Sequence, residues 1–236
     1  MTQIVSPSKR TAARVRAATP WAVAGVLLVV AAGLLMRFVL PGPIGALGPD
    51  EWWHGVAGLT RGSAPFAVAV FGAEIGGGFG AAACAAIAIA LLLALRRPRD
   101  AAAVATAMVL GVGLSELLKA VVLRPRPWDQ LYSSSGSSFP SGHSLGAAAL
   151  VISLALVVSA TDELPRAAAR WAWAIAIAWL LFMMWSRTAL HVHWATDVTA
   201  GALLGASVAI LSRRFWFRDI HSSPRAGSGT PARGVS

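Results

Sequence analysis

The sequence predicts an all-α membrane protein, a bundle of six transmembrane helices with its polar chemistry gathered at one face of the bilayer. Three observations predict it. Of 236 residues, 56% are hydrophobic and 13% are charged, against about 25% charged in an ordinary soluble domain. The apolar residues collect into six runs, each near the roughly 20 residues a helix needs to cross a hydrocarbon core about 30 Å thick. Lysines and arginines flank these runs as anchors do. An open sheet is excluded, because in lipid every backbone N–H and C=O must be paired internally.

Residues 1–20 form a basic N-terminal segment, and the first span covers 21–40, up to the Pro41-Gly42-Pro43 turn. Its leader is long and no clear small-residue cleavage site precedes that turn, so it is expected to remain a span and not a cleaved signal peptide. Asp50-Glu51-Trp52-Trp53-His54 follows. Paired tryptophans beside carboxylates predict an interfacial helix at headgroup level, with a rim guiding a headgroup as the functional alternative. The second span, 66–95, is long enough to tilt or to begin as an interfacial turn. Within it, Gly76-Gly77-Gly78-Phe79-Gly80 reads as small residues that permit close helix packing, not as a phosphate loop.

Spans three to six are expected at 101–123, 144–160, 169–185 and 196–211. The fourth and sixth are short and borrow residues from their flanks. The spans make one unit over 21–212, followed by a basic tail, 213–236, whose last residues from His221 are rich in Gly, Ser, Pro and Arg and read as disordered. Cys84 is the single cysteine, which excludes an intrachain disulfide and any Cys-x-x-Cys chemistry.

Charge fixes the orientation. Residues 1–20, 96–100, 161–170 and the tail from 212 carry fourteen of the twenty Lys and Arg, leaving Arg37, Arg61, Lys119, Arg124, Arg126 and Arg187 opposite. The positive-inside rule then places both termini in the cytoplasm of a multi-pass cell-membrane protein. The net charge of +10 is explained by these anchors. No basic stretch is interleaved with aromatics, so no nucleic-acid partner is expected. The sequence carries no signature of an oligomeric state.

Three polar stretches break the apolar pattern, all on the extracytoplasmic side: Lys119 to Pro127, Pro140 to His143, and Ser186 to Asp197. Ionisable groups at membrane depth are costly, which makes these the candidate site. Lys119, Arg126 and Arg187 supply positive charge for a phosphoryl group whose transition state spreads charge over its equatorial oxygens. Ser141 and Gly142 precede span four, where small residues and a helix N-terminus admit an anion to backbone N–H groups. His193 and Asp197 are four apart and share a face if span six begins there. A carboxylate on one ring nitrogen would then fix the tautomer and leave the other free to attack. His191 reads as a loop residue at the edge of the site, with a metal pair or an alternative nucleophile also open. No histidine or carboxylate set has metal-ligand spacing, so no metal and no cofactor is expected.

Lys119, six residues and Arg126-Pro127; Pro140-Ser141-Gly142-His143; and Ser186-Arg187, five residues, His193, three residues and Asp197 resemble, in order, the three motifs of the type-2 phosphatidic-acid phosphatases. That superfamily also holds undecaprenyl-diphosphate phosphatases and vanadium haloperoxidases. The resemblance covers residues 119–197 by motif, and the six-span layout extends it. It implies a membrane lipid phosphatase in which His193 is phosphorylated, His143 is the general acid, and Lys119, Arg126, Ser141, Gly142 and Arg187 hold the phosphate. The substrate it favours is undecaprenyl diphosphate, hydrolysed to undecaprenyl phosphate. Phosphatidylglycerol phosphate and phosphatidic acid are the alternatives, and a membrane transporter is the alternative of another class. Glu116, one turn before Lys119, is expected to pair with it, and Glu74 with Arg37. The serine-rich loop 128–139 reads as flexible, either a gate or a slack connector.

Overall fold

The computed structural model describes residues 9–40, 42 and 44–218. These residues form eight helices: α1 Lys9–Phe38, α2 Gly48–Ala57, α3 Ala64–Gly76, α4 Gly78–Ala94, α5 Pro98–Val122, α6 Gly142–Ser159, α7 Arg166–Ala189 and α8 Ala195–Trp216. Five of them are long and apolar enough to cross a membrane. α3 and α4 together meet the same test but bend by 59° at their junction, so the described residues offer five spans, or six if the bent pair is one broken span and not a re-entrant loop.

The first helix begins at Lys9, so the basic segment expected ahead of the span is continuous with it. Pro41, Pro43 and the tail residues expected to be disordered lie outside the described residues. α2 is the short helix expected at headgroup level, although Asp50 within it is buried. The glycine run of the second span lies at the helix break as well as at a packing face. A side chain at Gly80 would strike the Ile75 carbonyl, because the chain turns back on itself there.

The ends of the helices are set locally. Ser63 caps α3 by accepting from the Phe66 N–H, and Ser141 caps α6 by accepting from Ser144. Leu123 takes a left-handed conformation (φ 52°) that stops α5 just before Arg124-Pro125. At the start of α8, Asp197 accepts from the Trp194 N–H at 2.9 Å.

α6 lies at the centre. Gly201 and Gly205 of α8 have room for no Cβ, since one would strike the carbonyls of Ser141 and Leu145. This close approach sets the distance between the starts of α6 and α8, and with it the distance between the second and third motifs. Leu145 and Leu204 fill that seam, together with Val29 of α1, Leu118 of α5 and Phe139. At the far end of the bundle Asp100 accepts from Arg97 (2.9 Å) and Arg213 (2.7 Å), tying α5 to α8. The outward faces of the long helices carry exposed Leu, Val, Ile and Trp side chains, as lipid-facing surfaces do.

Candidate active site

The last turn of α5, the first of α6, the last of α7 and the turn before α8 meet at the end of the bundle that carries α2. His193 sits in the α7–α8 turn and is 3% exposed. Its Nδ1–H donates to the Ser138 carbonyl at 2.8 Å, which leaves the lone pair on Nε2. That lone pair faces Arg126 Nη1 at 3.1 Å. Burial lowers the His193 pKa to about 4, with the Asp197 carboxylate opposing the shift. The ring is therefore neutral at ordinary pH and carries a nucleophilic nitrogen.

His193 and Asp197 do lie side by side, but the expected hydrogen bond between them on one helix face is corrected by this geometry. His193 precedes α8, so the four-residue spacing does not lie on a helix face. The Nδ1 to Asp197 Oδ2 distance is 3.7 Å, beyond a hydrogen bond. A backbone carbonyl, not the carboxylate, fixes the tautomer. Asp197 instead accepts from Arg124 Nη1 at 2.6 Å and from the Trp194 N–H. It acts on His193 through space and through the turn that it caps.

Arg126 is held by backbone carbonyls: Nη1 donates to Val192 O at 2.6 Å, Nε to Gly136 O at 3.1 Å, and Nη2 to Ser137 O at 3.3 Å. Its partial burial lowers its pKa, and Asp197 offsets part of that shift. The loop 128–139 is thus fastened to the site by many hydrogen bonds and is not a slack connector. Arg187 is 1% exposed, with its guanidinium over the Tyr132 ring at 5.7 Å. Its Nε and Nη1 have no hydrogen-bond partner among the described residues.

Lys119 pairs with Glu116 at 2.7 Å, as expected. Its Nζ lies 3.3 Å from where a Cβ would stand on Gly142, so the first and second motifs touch. His143 faces the break of the second span and donates from Nε2 to the Ala73 carbonyl at 3.1 Å. Arg187, His193 and Lys119 are all within electrostatic reach of it. Ser141 is fully buried, its hydroxyl used by the α6 cap and its N–H donating to the Asp197 carbonyl at 3.0 Å. Glu74 is not paired with Arg37. It accepts from the Tyr132 hydroxyl, and Arg37 lies over Phe38.

The structure adds residues that the motifs do not contain. Arg124, 2% exposed, donates to Asp197 and also to Asp50 (2.6 Å), Thr196 (2.8 Å) and the Gly45 carbonyl (2.8 Å). Asp50 in turn accepts from the Thr196 N–H at 2.8 Å. This network bolts α2 across the mouth of the site.

The profile of the PAP2 superfamily matches residues 100–220, half of the chain and all three motifs. The chain belongs to the PAP2 superfamily. One relative is the undecaprenyl-diphosphatase of Sulfolobus acidocaldarius, 31% identical over 111 residues; the match spans 44% of this chain and 49% of that protein, about half its length. The fold is that of a transmembrane PAP2-type phosphatidylglycerolphosphate phosphatase from Bacillus subtilis (TM-score 0.71, 22% identity, 84% of this chain and 98% of that one). It is also that of LpxE from Aquifex aeolicus (TM-score 0.59, 20% identity, 72% and 98%).

Proposed function

We propose that this PAP2 protein hydrolyses a lipid phosphate or diphosphate, with His193 as the nucleophile, at the outer face of the cell membrane. One observation carries the reading. Arg187 is a buried cation with two N–H groups that have no hydrogen-bond partner among the described residues, in a site that already holds Arg126 and Lys119. Burying an uncompensated guanidinium costs several kcal/mol, roughly, so the site is matched to an anion that supplies the missing charge.

An incoming phosphoryl group competes for the Arg126 Nη1–H and frees the His193 Nε2 lone pair. Nε2 attacks phosphorus, the bond to the leaving oxygen breaks, and His143 gives that oxygen a proton. The Ala73 carbonyl holds the Nε2–H of His143, so the ring enters this step doubly protonated and the proton it gives is the one on Nδ1. In the second half, His143 takes a proton from water as the water attacks phosphorus. The P–N bond then breaks and inorganic phosphate leaves. Lys119, Arg126, Arg187 and the Ser141-Gly142 turn offset the charge that builds on the phosphoryl oxygens. The chemical step is proposed to need no metal, because these cations occupy that role.

An apolar cavity of about 280 Å³ runs from Gly76, beside His143, between the bent pair and α6 and α7, and is lined by Ala81, Leu150 and Trp179. It suits the tail of a substrate that stays in the bilayer. Undecaprenyl diphosphate is the favoured substrate, supported by the similarity to the Sulfolobus protein. Both termini are proposed to be cytoplasmic.

The test is a comparison of purified protein on undecaprenyl diphosphate, phosphatidylglycerol phosphate and phosphatidic acid in mixed micelles. The highest kcat/KM is expected on the diphosphate; a preference of about tenfold or more for a monoester reassigns the substrate. Glu116→Gln removes the partner that steadies Lys119. Because that pair is partly exposed, turnover is expected to fall by no more than about fivefold with expression unchanged. Identical turnover removes Glu116 from the site.

A further inference from the structure

Outside the phosphate cradle, three side chains from three separate segments converge: His54 of α2, Asp129 of the loop between α5 and α6, and His191 of the α7–α8 turn. His54 Nε2 lies 3.0 and 3.1 Å from the two Asp129 oxygens, and His191 Nδ1 lies 3.0 Å from Oδ2. One ligand atom from each residue lies within 4.8 Å of the other two. The two imidazoles stack with ring centroids 3.9 Å apart. Trp128 and Trp194 wall the group, each within 5.5 Å of the His54 ring.

We propose that His54, Asp129 and His191 form a divalent transition-metal site of the zinc class, which clamps α2 to the two loops that carry Arg126 and His193. The donor set decides the metal class. Two imidazoles and one carboxylate suit a borderline cation such as Zn²⁺ or Co²⁺, and are a poor set for Mg²⁺ or Ca²⁺, which take oxygens. Donors about 2.0–2.2 Å from one tetrahedral ion stand roughly 3.3 Å apart, close to the 3.0 Å separations here. On those two edges binding needs outward movement of only a few tenths of an ångström, and all three donor atoms already lie within 4.8 Å of one another.

One further observation points the same way. His191 has φ 52°, a strained conformation for a non-glycine residue, and one that sites holding a ligand retain. Its Nε2 is buried without a partner among the described residues, facing Gly58, where a Cβ would stand 2.9 Å away. A metal on Nδ1 moves the ring proton to that Nε2, where Gly58 leaves room for it but no acceptor stands among the described residues. Asp129 is 43% exposed, which provides both access for the ion and a fourth, water-filled position. A second arrangement has the same residues, with both histidines donating hydrogen bonds to Asp129 and no ion bound.

The experiment uses the full chain in detergent, stripped with chelator and titrated with Co²⁺, then Zn²⁺. Wild type is expected to bind one Co²⁺ with the visible spectrum of a tetrahedral nitrogen–oxygen site, and Zn²⁺ is expected to displace it. Losing even an outer-shell partner costs 10–100-fold in metal affinity, so the double variant His54→Ala, Asp129→Asn is expected to bind at least about 100-fold more weakly. Equal binding by wild type and the double variant, or no binding by a folded wild type, overturns the site in favour of the hydrogen-bonded arrangement. Should the double variant fail to fold, Asp129→Asn alone serves, read by the same spectrum. The proposal rests on the same outer loops as the phosphatase reading but is tested apart from it. His193→Ala is expected to keep the cobalt spectrum unchanged, whether or not phosphate release depends on His193.

Discussion

Replacing His193 by alanine is expected to lower phosphate release by more than about 10⁴-fold while the protein remains inserted and folded. The size follows from the role: without Nε2 no covalent intermediate forms, and the remaining cations bind the phosphate but have nothing to transfer it to. The Ser138 carbonyl loses its donor, but the fold survives because the side chains around the ring keep other partners. Arg126 retains the Val192, Gly136 and Ser137 carbonyls, and Trp194 stays anchored through its indole N–H to Pro125 O at 2.9 Å. His143→Ala is expected to cost less, about 10²–10⁴-fold. Its loss weighs more heavily on a phosphomonoester, which expels an alkoxide, than on a diphosphate, which expels a phosphate. The measurement is phosphate release from micelles by both variants on both substrate types. Release by His193→Ala within tenfold of wild type removes the phosphohistidine mechanism.

Arg124→Ala is expected to destabilise the protein by about 3–5 kcal/mol, because it strands two buried carboxylates. Both members of each pair, Arg124–Asp50 and Arg124–Asp197, have fully buried side chains. At roughly 2–4 °C per kcal/mol for a chain of this size, the melting temperature in detergent falls on the order of 10 °C. Arg124→Lys is not expected to rescue it, since a point charge cannot reach Asp50, Asp197 and the Gly45 carbonyl together. Phosphate release falls as well, because Asp197 loses the partner that holds it at the start of α8. Unchanged melting and turnover in Arg124→Ala remove the network as a support of the site.

What the sequence made legible was whatever depends on local spacing. The six apolar runs report length, and the three motifs report residue types at fixed separations; the fold does gather Lys119, Arg126, His143, Arg187 and His193 at one end. What escaped depends on contacts between distant segments. Arg124 read as one outer cation among six, because its partners Asp50 and Asp197 lie 74 and 73 positions away. Asp50 read as a headgroup-level carboxylate although it is fully buried. The His193–Asp197 spacing invited a helical reading, but the helix starts only at Ala195, between them. Hydropathy sums over a window and does not register a bend, so the break at Gly77 was hidden within one long run. The His54, Asp129 and His191 cluster has no sequence spacing at all, since α2 reaches it only by folding over the α7–α8 turn.

The hydrogen bonds from Thr196 to Asp50 span 146 positions, and this dictates an order of events during synthesis. Chains emerge from the ribosome N-terminus first, so α2 is laid down long before the segment that fastens it. Until the final helix enters the bilayer, the guanidinium of Arg124 lacks one carboxylate and Asp50 lacks its threonine. A nascent chain halted before residue 196 therefore ties Asp50 of α2 to the bundle through Arg124 but not through Thr196, and the cap over the site closes only once the start of α8 has been made.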